Sequence, residues 1–280
     1  MKNNFYKEHS IAIRKDVLTM AFKSQVSHIG SALSCVDILT VLYFKILKIN
    51  PKNPGAENRD RFILSKGHAA AALYAVLTEK EILDKNLLNT FCQKNSPLGA
   101  HPDIGIAGID VATGSLGHGL SIGAGMALAA KINSQDYRTF VLLSDGECQE
   151  GSTWEAAAFA SQYKLDNLVA LVDYNKLQSL GKIKEIINLE PFKEKWEAFG
   201  WSVKEVNGHD TSEIVEALKE LPFAESKPSI LIANTVKGKG CTFMENSPIF
   251  HYRIPSNKEE WERACDELEL NREDFKEVLK

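Results

Sequence analysis

An aspartate and an asparagine, each at the end of an apolar run, carry the first recognisable chemistry in this chain. Asp145 follows TFVLLS, Asn175 follows LVALVDY, and the helix-patterned STWEAAAFASQYKL lies between the two runs. Alone, an Asp-Gly pair after a strand is ordinarily a turn, and a lone Asn is ordinarily a cap. Together they read differently. If the runs are neighbouring parallel strands joined by that helix, both side chains stand at carboxyl ends, where open α/β sheets bind ligands. Adjacent strands lie only ~4.8 Å apart, so the Asp145 carboxylate and the Asn175 amide oxygen can reach one hard cation. The carbonyl of Leu177 is a third oxygen just beyond. An octahedral Mg2+ held by three protein oxygens keeps room for two phosphate oxygens and a water, so the spacing predicts a metal that holds a diphosphate. Gly146 would let the backbone approach a phosphate without a Cβ in the way. Gly114, Ser115 and Leu116 precede a predicted helix whose N-terminal amides could receive the same diphosphate. A dinucleotide site is disfavoured, because Gly117 and Gly119 are followed at the next required position by Ile122.

Such groups need a scaffold that brings strand ends together. Helical and strand patterns alternate along the chain, which predicts an α/β fold: a doubly wound, mostly parallel sheet with helices on both faces. Helical periodicity covers 11–24, 34–46 and 69–79, and TFVLLS, LVALVD and SILIANTV read as buried strands. Ser152 is available as an N-cap with Glu155 as the reciprocal half of a capping box. SNKEEWERACDEL, after Pro255, repeats that signature and predicts a C-terminal helix. Gly119, Gly123 and Ala127, four apart, predict a close helix-packing face. The passage SPLGAHPDIGIAGIDVATGSLGHG is a long loop of the kind that is functional when ordered. The expected organisation is one domain over 1–255 and a C-terminal helical extension over 256–280.

Composition removes several classes of function. A chain of 280 residues with 44% hydrophobic content can bury a large core. With 33 basic and 37 acidic residues and no basic cluster, it has no nucleic-acid footprint. No run reaches the ~18 apolar residues that span a membrane, and the N-terminus lacks a signal-peptide pattern, so the expected location is the cytoplasm. Cys35, Cys92, Cys148, Cys241 and Cys265 are scattered without CxxC spacing and read as reduced thiols, not as disulfides or a zinc site.

SDGECQEGSTWEAA followed by VDYNKLQ resembles the diphosphate-and-metal motif of thiamine-diphosphate enzymes, with Ser144 where the first glycine usually stands. SHIGSALS, RFILSKGHAAAALYAVL, GAHPD, ATGSLGHGL and TVKGKG are similar, in order, to the N-terminal third of transketolases. The resemblance runs from about Ile11 to His251. It implies the diphosphate-binding (PP) fold, with thiamine diphosphate and Mg2+ as cofactors and Asp145, Asn175 and Leu177 as metal ligands. Cofactor contacts are implied for His68, Gly114, Ser115, Leu116, Gly146, Asn175 and His251. It also implies catalytic roles for four histidines: His68 at the diphosphate and substrate, His101 at the donor's terminal hydroxyl, and His28 and His251 at substrate hydroxyls and proton transfer. Imidazole suits that work because its pKa lies near neutrality. His118 and His209 receive no such role, and His209 reads as structural.

The implied reaction passes a two-carbon ketol unit from a ketose to an aldehyde acceptor, with sugars or sugar phosphates as substrates. Transketolases carry the aminopyrimidine-activating glutamate on a pyrimidine-binding domain, followed by a third domain. The resemblance therefore implies a split enzyme whose separate C-terminal subunit supplies both, as an α2β2 assembly with PP-domain contacts across a two-fold axis. Glu150 matches a family glutamate at the subunit interface. Two departures flank substrate-facing histidines: Ile29 stands where proline is usual, and Tyr252-Arg253 where Gly-Lys is frequent. Arg253 is on that ground a candidate contact to an anionic acceptor. Three other readings stand beside this one: an E1-type 2-oxoacid dehydrogenase or decarboxylase subunit, a deoxyxylulose-phosphate synthase fragment, and a non-catalytic cofactor-binding or assembly subunit.

Overall fold

Strand β1 (Arg61–Leu64), strand β2 (Thr139–Ser144) and strand β3 (Leu168–Tyr174) are runs that bury nearly every side chain, as strands covered on both faces must. In this computed structural model, which describes residues 2–275, they are joined by a short hairpin, β4 (Leu177–Gln178) and β5 (Gly181–Lys182), and by β6 (Ser202–Asn207) and β7 (Ser229–Asn234). Among the described residues the main sheet is parallel, in the order β1-β2-β3-β7-β6. The expected doubly wound α/β architecture is the one observed. β6 escaped the sequence reading because it is an edge strand with only partial burial.

The helices are α1 (Lys2–Ser24), α2 (Ile29–Ser34), α3 (Val36–Val41), α4 (Ala70–Glu79), α5 (Gly119–Ile132), α6 (Gly151–Gln162), α7 (Ile183–Ile186), α8 (Phe192–Ala198), α9 (Thr211–Lys219) and α10 (Lys258–Glu267). Strand side chains alternate between two cores. Phe140, Leu142, Val169, Leu171 and Leu231 join α1, α3, α4, α9 and α10 on one face. Val141, Leu143, Ala170, Val172 and Ile230 join α5, α6 and α8 on the other. Each fully buried aliphatic side chain contributes about 1.5–3 kcal/mol, so a register slip of one residue, which would exchange the two sets, is strongly disfavoured.

Three local expectations are corrected. The helix expected over 34–46 is divided: Cys35 leaves helical geometry (φ −96°, ψ 5°), and a π-helical turn over Leu42–Ile46 ends the segment. Ser152 does not cap α6; Glu150 occupies the N-cap position, and the Ser152 hydroxyl donates to the Gly117 carbonyl at 2.8 Å. A tertiary acceptor has displaced the local one. At α10 the cap moves by one residue, with Asn257 Oδ1 accepting from Glu260 N at 2.9 Å and the Glu260 carboxylate accepting from Ser256 N at 2.8 Å. α10 also packs Trp261 edge-on to Phe22 of α1, with ring centroids 4.8 Å apart, in the same core as the rest of the chain. The glycine face of α5 is as expected: a Cβ on Gly123 would come within 2.5 Å of Val141 on β2.

Candidate functional site

Register places the site. Ser144 pairs with Asp173 across β2 and β3, and Asp173 with Ala233 across β3 and β7, so the three central strands end level. β3 and β7 are neighbours, yet the helices that lead into them, α6 and α9, lie on opposite faces. That is the topological switch point, where such sheets bind ligands. A cavity of about 290 Å³ opens there, lined among others by Asp145, Asn175, Leu177, Lys66 and Lys237.

Asp145 is buried, and its carboxylate accepts the backbone N–H groups of Lys176 and Gly146, the latter at 2.8 Å. Burial and the neighbouring Asp173 push its carboxyl up to about 7. A cation in the cavity would relieve that cost. Asn175 directs Oδ1 to Leu177 N at 3.0 Å and Nδ2 to Asp173 at 3.3 Å. Asp145, Asn175 and Leu177 thus share one wall, and one carboxylate with an amide and a carbonyl oxygen is a donor set for a hard cation such as Mg2+. No cluster of three His, Cys, Asp or Glu side chains suited to a metal occurs among the described residues.

Charged residues that sequence reasoning passed over complete this wall. Lys66, at the exit of β1, is buried against Asp173 and donates to the Ser31 carbonyl at 3.0 Å. Asp173 also accepts the hydroxyls of Ser34 and Thr235. Burial opposes both charges, but each holds the other ionised: Lys66 lies above its ordinary value and Asp173 below. Lys237, after β7, is buried, and among the described residues no carboxylate is hydrogen-bonded to it; burial, then Lys66, lower it to about 8. Its ammonium donates to His251 Nδ1 at 3.1 Å and reaches the Leu177 carbonyl at 3.5 Å. The available signal was an apolar run ending on a lone charge, as in RFILSK, LVALVD and ILIANTVK.

Four predicted histidines meet over the cavity, all of them in its lining. The His28 ring lies 4.9 Å from that of His251, 5.4 Å from that of His68 and 6.3 Å from that of His101, centroid to centroid. His28 has a left-handed backbone (φ 73°, ψ 11°), a conformation costing about 1–3 kcal/mol away from glycine. It is held by its N–H to the His251 carbonyl at 3.1 Å and by accepting the Ser31 and Ala32 amides. Burial lowers the imidazoles of His28, His68 and His251, with His101, Lys66 and Lys237 respectively as the next cause, and His251 reaches about 3. These three rings are therefore neutral near pH 7, each with one N–H to donate and one nitrogen to accept.

The long loop that carries His101 and Gly114 is ordered by specific partners. Arg59 pairs with Asp110, Thr113 Oγ1 donates to the Leu64 carbonyl at 2.7 Å, and Tyr74 OH donates to the His101 carbonyl at 3.0 Å. Gly114 and Leu116 line the cavity, whereas Ser115 is exposed and outside its lining. Two amides at the entry to α5 are taken by protein: Gly119 N donates to Ser65 Oγ at 3.0 Å and Gly117 N to Glu147 at 2.8 Å. Gly146 lies in the lining, and Glu150 does too. Arg253 is set apart from the cavity. It pairs with Glu260, donates to the Ile254 carbonyl at 3.0 Å and stacks over Phe250. His118 is exposed, and His209 is bound to Asp37 at 2.8 Å.

Comparison with known proteins fits this arrangement. The family model described as "Transketolase, thiamine diphosphate binding domain" matches residues 7–275. The chain is 44% identical over 255 residues to one of the subunits of the apulose-4-phosphate transketolase of Phocaeicola vulgatus, covering 91% of this chain and 90% of that one. It is 44% identical over 258 residues to a 6-deoxy-6-sulfo-D-fructose transketolase subunit of a Clostridium species, covering 92% and 94%. The crystal structure of transketolase from Campylobacter jejuni superposes with a TM-score of 0.90 at 34% identity, over 97% of this chain but 44% of that one. A sheet whose strand ends converge on Asp145 and Asn175 beneath four histidines, matched from residue 7 to residue 275, places this chain in the transketolase family, as a thiamine diphosphate binding domain.

Proposed function

We propose that this chain is the thiamine-diphosphate-binding subunit of a two-chain transketolase, which with Mg2+ passes a two-carbon ketol unit from a ketose to an aldose acceptor. The observation that carries this reading is the meeting of Asp145, Asn175 and Leu177 with His28, His68, His101 and His251 in one cavity. Mg2+ would be held by the Asp145 carboxylate, the Asn175 amide oxygen and the Leu177 carbonyl. Gly114, Leu116, Gly146, His68 and His251 line the wall available to the diphosphate, with Ser115 beside it. Thiamine diphosphate, when bound, supplies the electron sink that lets a C–C bond next to a carbonyl break and re-form.

The chain's own residues supply position and protons. A neutral imidazole can donate a hydrogen bond from its one N–H and accept a proton on its bare nitrogen and later return it, so neutral His28 and His251 suit contacts and proton transfer at sugar hydroxyls, where an imidazolium would have no nitrogen free to accept. His101 would hold the donor's terminal hydroxyl, and His68 would bridge the diphosphate and the sugar. The names of the two 44%-identical relatives both describe sugars with an anionic substituent, a phosphate in one and a sulfonate in the other. The donor proposed here is accordingly a ketose with an anionic group remote from its carbonyl.

Relatives named as transketolase subunits support a partner chain that carries the pyrimidine-binding and third domains. An α2β2 assembly in the cytoplasm is the proposed form. Ile122 on α5, Phe159 on α6 and Tyr163 just beyond it are exposed apolar side chains on two helices packed together, a surface suited to the PP-domain contact between copies. The test is a ketol-transfer assay with purified chain, Mg2+ and thiamine diphosphate, before and after addition of a pyrimidine-domain chain, using donors with and without an anionic group. Transfer is expected only with the partner and with the anionic donor. Sustained turnover by this chain alone would refute the split-enzyme reading, and turnover of a 2-oxoacid with an electron acceptor would favour an E1-type activity.

A further inference from the structure

Lys237 is buried deep in the cavity wall, and the backbone on both sides of it is gripped by one polar network. Before it, the N–H of Val236 donates to His209 Nε2 at 2.8 Å. A ring nitrogen that accepts carries no proton, so neutral His209 is protonated on Nδ1, which donates to Asp37 Oδ2 at 2.8 Å. After it, Arg14 Nε donates to the Lys239 carbonyl at 3.1 Å. The same guanidinium forks onto Asp37, with Nη1 at 3.1 Å and Nη2 at 2.6 Å. Arg14 comes from α1, Asp37 from α3 and His209 from the loop before α9; Arg14 and His209 reach one turn of chain, and Asp37 joins them. The turn is also tied by backbone bonds, from Lys239 N to the Val236 carbonyl at 3.2 Å, from Gly238 N to the Gly30 carbonyl at 3.0 Å and from Asn246 N to the Lys237 carbonyl at 2.9 Å, and the three side chains add to that hold. Gly238 and Gly240 have φ of 82° and 103°, and a Cβ on Gly238 would come within 2.5 Å of the Met244 carbonyl.

The far end of Lys237 meets His251 Nδ1 at 3.1 Å. An ammonium has only protons to give, so Nδ1 is the acceptor and the single proton of neutral His251 resides on Nε2. Where the ammonium stands depends on where its Cα is held.

We propose that Arg14, Asp37 and His209 are positioning residues: by fixing the turn 236–239 they set Lys237 against His251 and so determine which nitrogen of His251 carries its proton. The inference rests on the functional reading above only in giving His251 a task at the sugar. A fixed Nε2–H makes His251 a hydrogen-bond donor to the substrate at the start of the cycle, and a loose Lys237 would leave a mixture of tautomers, of which only part is competent.

The experiment uses the full chain labelled with ¹⁵N-histidine, with long-range ¹H–¹⁵N spectra and His251 assigned by its loss in His251→Asn. His251 should have a bare Nδ1 and a protonated Nε2 in the wild type. His209→Ala should give a mixed tautomer signature. His209→Gln, whose amide can both accept from Val236 N and donate to Asp37, should restore the wild-type pattern. In the assembled enzyme His209→Ala should lower kcat by on the order of 10- to 100-fold, the scale of a displaced group remote from the chemistry, with a smaller effect on donor KM and recovery in His209→Gln. If His209→Ala does not fold, Arg14→Lys, which keeps the charge opposite Asp37 and removes the Nε donor to Lys239, should move the signature in the same direction. An unchanged His251 spectrum in the folded variant, or failure of His209→Gln to restore it, overturns the proposal. Absence of ketol transfer in the wild type with any partner would instead count against the functional reading, and the spectra would still decide the tautomer.

Discussion

The carboxylate of Glu147 accepts the backbone N–H of Gly117 at 2.8 Å, and with it the Ser65 hydroxyl and the Ser144 N–H. One buried side chain thereby joins the exit of β1, the exit of β2 and the loop that leads into α5. Burial raises its pKa, against the three donors that favour its charge. Glu147→Ala leaves those three donors buried without an acceptor, at about 1–3 kcal/mol each. A fall in stability of several kcal/mol is expected in denaturant unfolding, with a smaller fall in Glu147→Gln, which retains an acceptor for Gly117 and Ser65.

Asp145→Asn should leave the fold intact, since an amide of the same shape still accepts one of the two backbone N–H groups. It removes the one carboxylate of the proposed metal set. Mg2+-dependent affinity for thiamine diphosphate, read by calorimetry on the assembled enzyme, should fall by at least the ~10–100-fold that even outer-shell changes cost a metal site. Unchanged affinity would mean the metal, if any, is held elsewhere.

His101 is carried by a loop fixed by the Tyr74 hydroxyl, which donates to the His101 carbonyl at 3.0 Å, and its ring lies beside Gly114 of the same loop. His101→Ala is expected to spare cofactor affinity while lowering kcat/KM for the ketose donor by about 10-fold, the loss of one hydrogen bond at roughly 1.4 kcal/mol. An equal loss of cofactor affinity would place the residue on the wrong side of the reaction.

Arg253→Gly addresses the ion pair with Glu260 rather than the acceptor. Both side chains are partly exposed, so the stability loss should be about 1 kcal/mol or less. The Arg253 hydrogen bonds pull Glu260 down to about 2. A carboxyl lowered from the ordinary 4.5 contributes stability above that value and loses it as the pH falls toward 2. The variant should therefore show a shallower acid limb in its thermal midpoint between about pH 4.5 and 2, with acceptor preference unchanged. A changed acceptor preference would restore Arg253 to the substrate.

Phe159→Glu tests the exposed helix pair. If Ile122, Phe159 and Tyr163 meet their counterparts on a second copy, a charge there is buried unpaired and should shift the species seen by sedimentation toward monomer. Identical sedimentation of variant and wild type would remove this face from the assembly.

The parts of the fold that were legible are those where local pattern and tertiary environment agree. β2, β3 and β7 are runs of apolar residues because both their faces are covered, and α5 announces its packing face through Gly119, Gly123 and Ala127. That Asp145, Asn175 and Leu177 meet in one cavity was legible because strand order converts their spacing into proximity. Lys66 and Asp173 were not, since their pairing spans 107 positions and neither residue signals the other. Ser152 misled because a valid capping sequence says nothing of the Gly117 carbonyl that takes its hydroxyl. The Arg253–Glu260 pair was not legible for the same reason, Glu260 lying on a helix read separately.

The two walls of the cavity are built to different tolerances. At and behind one wall stand buried charges with fixed partners: Lys66 and Asp173 hold each other, Asp145 is held by the Gly146 and Lys176 amides, and Glu147 by the Ser65 hydroxyl and the Gly117 and Ser144 amides. The wall of His251 hangs from a glycine-hinged turn and a single helical turn, Pro248–His251, next to solvent-exposed Tyr252. Substitutions after Gly240 can thus shift His251, which lines the cavity, while leaving the buried charges behind the other wall in place. A scaffold so divided is modular within a single cavity, and laboratory evolution of donor scope should find its gains between residues 241 and 256 before it finds them anywhere near residue 145.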